Sequence, residues 1–449
     1  MTTPLDKPTP PSGTAPFLVA PPVPELMLEA ADPIKVGFRF IFVMGLANFG
    51  VWIGLLSYVT IGLQLKVSAL IADPAARPGV LGIMLTIGSI FGVLANPIAG
   101  RLSDRTTSRF GMRRPWLLGG GVLSLIGSLV MAFTPSIPLL IIGWVLTQVG
   151  ITVSLAVLLA VLPDHVPVKR RGMMSGLLGI SQSLAGLLGS VLAFSLSTVS
   201  LVLAFVVPAV IAVVTLTIAA FVLQDRHITK EELPPFKLST LFSSFVVNPF
   251  KYRDYGWAWI SRFINFLSVG AVGIFGLFYL QAQLGLDQRA AAGLIPLSVT
   301  VQVLTILVVS GIAGALSDRL GRRKLFVIIA SLINVVGLLC FAFTSSVAVF
   351  LIATALLGLS QAVYFAVDLA LMTDVMPNKE LEGGKGIGVF NLASSLPTLI
   401  APVLAPAFLL VPLLSRSSVP GQNYTFLFVV SAVVALFAVI TIFKVRGVR

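Results

Sequence analysis

Residues Gly100 to Pro115 read G-R-L-S-D-R-T-T-S-R-F-G-M-R-R-P, five arginines and one aspartate, Asp104, set between two apolar stretches. A charge knot of this density is intolerable in hydrocarbon, so it belongs at a membrane face, and its arginine excess assigns that face to the cytoplasm. The design is used twice. Gly314 to Lys324 reads G-A-L-S-D-R-L-G-R-R-K, with Asp318 and Arg319 standing where Asp104 and Arg105 stand in the first copy.

Working outward, 57% of the 449 residues are hydrophobic and 10% are charged, and the mean hydropathy is +1.02. That composition is an integral membrane protein's. The net charge of +13 sits in short clusters between apolar runs, not in one patch with interleaved aromatics, so it is topogenic and no nucleic-acid partner is expected. One cysteine, Cys340, and two histidines, His165 and His227, exclude an internal disulfide and a Cys/His metal cluster.

Residues 1–33 are rich in proline and poor in core formers, which reads as a disordered tail without a cleaved signal. Twelve apolar segments follow, at roughly 38–65, 79–100, 116–134, 138–163, 172–196, 200–223, 256–283, 291–315, 325–343, 346–376, 384–413 and 423–443, each long enough to span at about 1.5 Å per residue. Only Lys66, Arg77, Arg289 and Arg416 fall in loops that this topology makes external, so both termini are placed in the cytoplasm of a plasma-membrane protein. The charged stretch 224–255 reads as a linker between halves at 34–223 and 256–443, with a short tail at 444–449.

The halves repeat in parallel. Val161-Leu162-Pro163-Asp164 returns as Val375-Met376-Pro377-Asn378, at the same offset that relates Asp104 to Asp318, and Arg39-Phe40-Ile41 is echoed by Arg262-Phe263-Ile264. Two six-helix halves of one orientation imply a pseudo-two-fold axis along the membrane normal and a cavity between the halves near the midplane. The expected fold is an all-α bundle of twelve transmembrane helices.

On these residues the chain resembles the major facilitator superfamily. The loop signature G-x-L-x-D-R-x-G-R-R is matched by Gly314, Leu316, Asp318, Arg319, Gly321, Arg322 and Arg323, and by Gly100, Leu102, Asp104, Arg105, Gly111, Arg113 and Arg114 with four extra residues before the second glycine. The long first copy, Ser103 to Pro115, is similar to the loop of sucrose transporters in the glycoside-pentoside-hexuronide cation symporter group. Those carriers place an acidic residue early in the fourth segment that is linked to proton coupling, and the stretch Trp144 to Gln148 has none.

The resemblance implies a gating latch: Asp104, Arg105, Arg113, Arg114 and their counterparts Asp318, Arg319, Arg322 and Arg323, a carboxylate bridging to helix N-terminal amides and guanidinium groups. Charges inside apolar segments ask for partners. Arg262 in segment seven and Asp368 in segment ten differ in depth by about 5 Å at 1.5 Å per residue; they either couple transport to an ion or fix helix packing. Asp374 answers Lys379 or Lys385 at the membrane face, and Arg39 snorkels. Amides offering both donors and acceptors, as sugar hydroxyls require, are Asn48, Gln148, Gln182, Asn265, Gln281, Gln302, Gln361 and Asn391, with Tyr58, Tyr279 and Tyr364 as the aromatic candidates; the competing role for each is interhelical bonding.

No G-x-x-x-x-G-K-[ST] loop and no nucleophile set is present, so neither an enzyme nor a cofactor is expected and energy comes from a gradient. The first reading is a secondary active transporter moving a small organic solute, a sugar or glycoside, by alternating access with or without a coupling proton or sodium ion. A proton-coupled exporter of amphipathic compounds and a non-transporting scaffold or sensor are the alternatives. Oligomeric state is left open.

Overall fold

The computed structural model describes residues 37–166, 168–223, 225, 252–375, 379–417, 419 and 421–445, with the side chains of Asp318 and Asp374, among others, outside the description. The expected tails, apart from Lys444 and Val445, and most of the 224–255 connection likewise lie outside the described residues.

Hydrocarbon leaves no partner for an unpaired backbone amide, so an apolar chain folds into helices that bond internally. The first half contains α1 (Phe38–Ser57), a π turn (Tyr58–Gly62), α2 (Leu63–Leu70), α3 (Arg77–Asp104), α4 (Arg114–Phe133), α5 (Ile137–His165), α6 (Val168–Val199) and α7 (Leu201–Val222). The second contains α8 (Arg253–Val269), α9 (Gly276–Leu284), α10 (Gln288–Leu320), α11 (Arg323–Ala342), α12 (Val347–Val375), α13 (Lys379–Leu409) and α14 (Tyr424–Phe443). Proline opens α3, α4 and α5 in the first turn, where its missing N–H costs nothing. The Asp287 carboxylate caps α10 by accepting from Ala290 N at 2.7 Å.

Eleven helices among the described residues are long and apolar enough to cross a membrane. The remaining expected segment, 256–283, is broken into α8 and α9 around Gly270 to Phe275. Gly270, Gly273 and Gly276 recur at every third position there, each costing about 1 kcal/mol of helix propensity relative to alanine. Segment one also differs from expectation. It continues through the π turn to Leu70, so Lys66 lies within a helix and not in a loop. Its ammonium is buried and donates to Ala132 O at 2.9 Å, answering the carbonyl end of α4.

The loops carrying the two charge knots and both ends of the described chain share one end of the bundle, the basic end. At the opposite end the halves are fastened together. Thr86 Oγ1 donates to Leu399 O at 3.1 Å, Leu277 N donates to Gln64 Oε1 at 2.9 Å, and Gln422 Nε2 donates to Pro74 O. Gly82 lies against the backbone of Pro402 so closely that a Cβ would collide with its carbonyl, and Gly293 lies beside the ring of Phe194. These fastenings all lie away from the charge knots. Among the described residues, the halves are held together at the far end.

Candidate functional site

The charge knots tie helix ends together. Gly111, at φ +100°, turns the first loop back into α4 in a conformation that L side chains avoid. Behind it Arg113 is buried, its Nη1 pairing with Asp104 Oδ1 at 2.6 Å and donating to Ser103 Oγ at 2.6 Å. Asp104 is 56% exposed and stays within its own loop. The amides that open α4 are taken by a different carboxylate. Arg113 N and Arg114 N donate to Asp225 Oδ2 at 2.7 and 2.8 Å, so the acid that caps α4 is Asp225, just past α7. Sequence reading passed over it because it stands 112 positions from its partner.

Arg114 completes the tie by donating through Nε to Leu223 O at 3.1 Å, beyond the end of α7. The second half repeats this with Lys324, whose Nζ donates to Phe443 O at 3.0 Å and Val445 O at 2.7 Å at the end of α14. A cation on the exposed carbonyls of a helix C-terminus is favourable in both places. Arg105 follows α3 directly, while Arg319 lies in the last turn of α10, Arg322 caps α11 and Arg323 begins it. The Asp318 side chain is outside the description.

Arg262 and Asp368 meet. The Arg262 Nη1 is paired with Asp368 Oδ2, and Nη2 donates to Ser394 Oγ at 3.3 Å, joining α8, α12 and α13. The guanidinium also lies 4.5 Å over the Phe390 ring and 5.3 Å over Phe266. Both charged side chains are nearly buried, at 11% and 7% exposure, so each depends on the other. Next to them Tyr364 is buried with its ring edge-on to Phe266, and Asn265 accepts at Oδ1 from Asn334 Nδ2 at 3.2 Å. The first half has no such pair at the repeat position: where the second half has Asp368 the first has Ser154, whose hydroxyl bonds its own helix at Gly150 O.

A cavity of about 330 Å³ lies between the halves, bounded by the end of α1 and its π turn, the break between α8 and α9, and the facing sides of α10 and α12. Its walls include Val59, Val272, Ile274, Val299, Phe341, Phe350 and Leu357. The polar side chains are Thr60, Ser298, Thr354, Gln302 and Gln361, and no charged residue among those described lines it. The three hydroxyls donate to carbonyls of their own helices, leaving lone pairs to accept. Gln302 Nε2 donates to Gln361 Oε1 at 3.2 Å, so the amide pair presents one remaining carbonyl and one remaining amino group. At the same repeat positions the first half has Gly88 and Thr147. Asp368 lies seven residues from Gln361, about 10 Å nearer the basic end at 1.5 Å per residue.

Of the candidate residues, Gln302, Gln361 and Tyr279 line this cavity. Tyr279 is nearly buried and spends its hydroxyl on Phe341 O at 2.8 Å inside a cluster with Phe350, Tyr424 and Phe428. Tyr58 is not in the cavity. It is fully buried in the first half, its hydroxyl bonded to Ser128 Oγ at 2.8 Å and Phe205 O at 2.9 Å, because a phenol turned into a packed bundle must be satisfied there. Asn48 is also spent on packing, donating to Ser181 Oγ at 2.6 Å and Leu178 O at 3.1 Å and so binding α1 to α6. Asn265 and Tyr364 belong to the network beside Arg262. Gln148 stands between α3 and α5 against Gly92, Gln281 is half-buried on α9, and Gln182 and Asn391 are exposed on α6 and α13.

The family model described as Major Facilitator Superfamily matches residues 37–301 and 258–448. Among curated proteins, 51 residues are 53% identical to an uncharacterized symporter of Synechocystis sp., covering 11% of this chain and 9% of that protein. A stretch of 77 residues is 38% identical to the general alpha-glucoside permease of Schizosaccharomyces pombe, covering 17% of this chain and 14% of the permease, so each of these matches spans a small part of its relative. Among solved structures, a D-xylose-proton symporter has a TM-score of 0.67 at 16% identity, with 92% of this chain and 98% of that one covered. The nucleoside transporter NupG has a TM-score of 0.69 at 11% identity, covering 91% and 99%. With two six-helix halves, a doubled charged loop and an end-to-end family match, the chain belongs to the major facilitator superfamily of membrane transporters.

Proposed function

We propose that the protein is a secondary active transporter that moves a neutral sugar or glycoside by alternating access, coupled to a cation. The observation that carries the reading is the Gln302–Gln361 amide pair in an uncharged cavity between the halves. An amide pair with one free acceptor and one free donor suits vicinal hydroxyls, and the apolar walls suit the C–H faces of a sugar ring or an aglycone. The names of the partial relatives, a symporter and a glucoside permease, support the same class. With the basic end in the cytoplasm of a plasma-membrane protein, on the arginine excess of its loops, the fastening of the far end supports reading this arrangement as the inward-open one.

In this reading Arg262 and Asp368 form the coupling element, and Asp104 and Asp318 hold latches that close the basic end in the opposite state. The apolar walls favour a second reading, a proton-coupled exporter of amphipathic compounds. Uptake of radiolabelled sucrose, maltose and hexoses into proteoliposomes with and without a pH gradient, beside a lipophilic cation, separates the two. Gradient-stimulated sugar uptake supports the symporter, and replacing Gln361 by leucine is then expected to weaken it about tenfold, the worth of one or two buried hydrogen bonds. Sugar silence with proton-driven movement of the cation makes the protein an exporter.

A further inference from the structure

A second concavity, of about 840 Å³, lies in the first half between α3, α4 and α5, apart from the cavity between the halves. Its lining is apolar, with Phe91, Leu94, Ile98, Trp116, Leu123 and Val153 prominent. The one side chain in it with a hydroxyl, Thr106, is occupied by accepting from Trp116 Nε1 at 2.7 Å. On α3 the stripe Phe91, Leu94 and Ile98 is turned about 120° away from Gly82 and Thr86, the residues that pack on α13, at 3.6 residues per turn. The groove therefore opens on the outside of the bundle, towards lipid. At the basic end it runs up to Thr106 and Pro115, inside the loop of the charge knot. In that loop Arg109 is exposed.

We propose that this groove binds one phospholipid with an anionic headgroup, its acyl chain along α3 and α4 and its phosphate at the arginine loop. The charge picks the occupant. A purely apolar partner would gain nothing from the arginines, whereas each basic residue near the surface favours an anionic over a zwitterionic lipid by roughly fivefold. The shape agrees, because Gly119 faces open space and the groove exists where a side chain is missing from α4. The site rests on the membrane-spanning fold alone and stands whatever the transported solute is.

The test uses the full chain in nanodiscs and the fluorescence of Trp116, taken as the difference between the protein and its Trp116→Phe variant. Titrating in phosphatidylglycerol with brominated acyl chains is expected to quench Trp116 at a several-fold lower mole fraction than brominated phosphatidylcholine. Gly119→Phe, whose Cβ enters open space and whose ring occupies the groove, should abolish the preferential quenching, and Arg109→Gln, which leaves the groove intact, should narrow the preference. Equal quenching by the two lipids would mean ordinary annular lipid and would overturn the proposal. Protection of Trp116 from both lipids, with a dimer seen by mass photometry, would assign the groove to a second copy and also overturn it.

Discussion

Replacing Asp368 by asparagine leaves the Arg262 guanidinium inside α8, α12 and α13 without its carboxylate. Removing one partner of a buried ion pair costs about 3–5 kcal/mol. Ser394 and the rings of Phe390 and Phe266 remain around the cation and return about 1–2 kcal/mol, so a net loss of about 1–4 kcal/mol is expected in the single variant. Replacing both residues together, Arg262→Met with Asp368→Leu, removes both charges at once and is expected to restore the unfolding midpoint, since an apolar substitute for a buried pair is neutral or stabilising. Transport then separates packing from coupling. If the pair couples the gradient, the double variant is stable, exchanges solute across proteoliposomes and does not accumulate it. A double variant that accumulates solute at the wild-type rate would refute the coupling role and leave the pair as a packing element.

Three further outcomes are expected. Gly82→Trp, placed against the Pro402 carbonyl, should hold the far end apart, so that cysteines introduced there become reactive from the outside; unchanged reactivity would mean that the far end does not open between α3 and α13. Asp225→Ala removes the cap of α4 and should cost about 1 kcal/mol, seen as a lower thermal midpoint; an unchanged midpoint would mean that the cap adds nothing. Tyr58→Phe should lower stability by about 1 kcal/mol through its two lost hydrogen bonds and leave the solute KM unchanged, because the hydroxyl is remote from the cavity; a raised KM would return it to the site.

The doubled loop and the apolar runs carried most of the fold, because a span is written in length and composition, and the constant offset between matching motifs fixes the repeat. The site was less legible. A membrane helix is apolar all round, so the sequence does not reveal which way Tyr58, Asn48 or Gln302 points. Of the amides, the two that face the cavity read no differently from Asn48, which binds α1 to α6. The break in the seventh segment left a signal, glycines at 270, 273 and 276, that composition alone reads as close packing. Asp225 left none, since a cap supplied across 112 residues has no local pattern.

The break between α8 and α9 also changes what the cavity is made of. Gly270, Gly273 and Gly276 line it, and a glycine can offer a solute nothing but main chain. Part of the cavity surface is thus written in peptide groups, which no side-chain exchange removes. Substitutions at Val272 or Ile274 alter the contour while the peptide dipoles stay in place, so a lineage built on this scaffold can change the shape of the cavity without changing its main-chain lining.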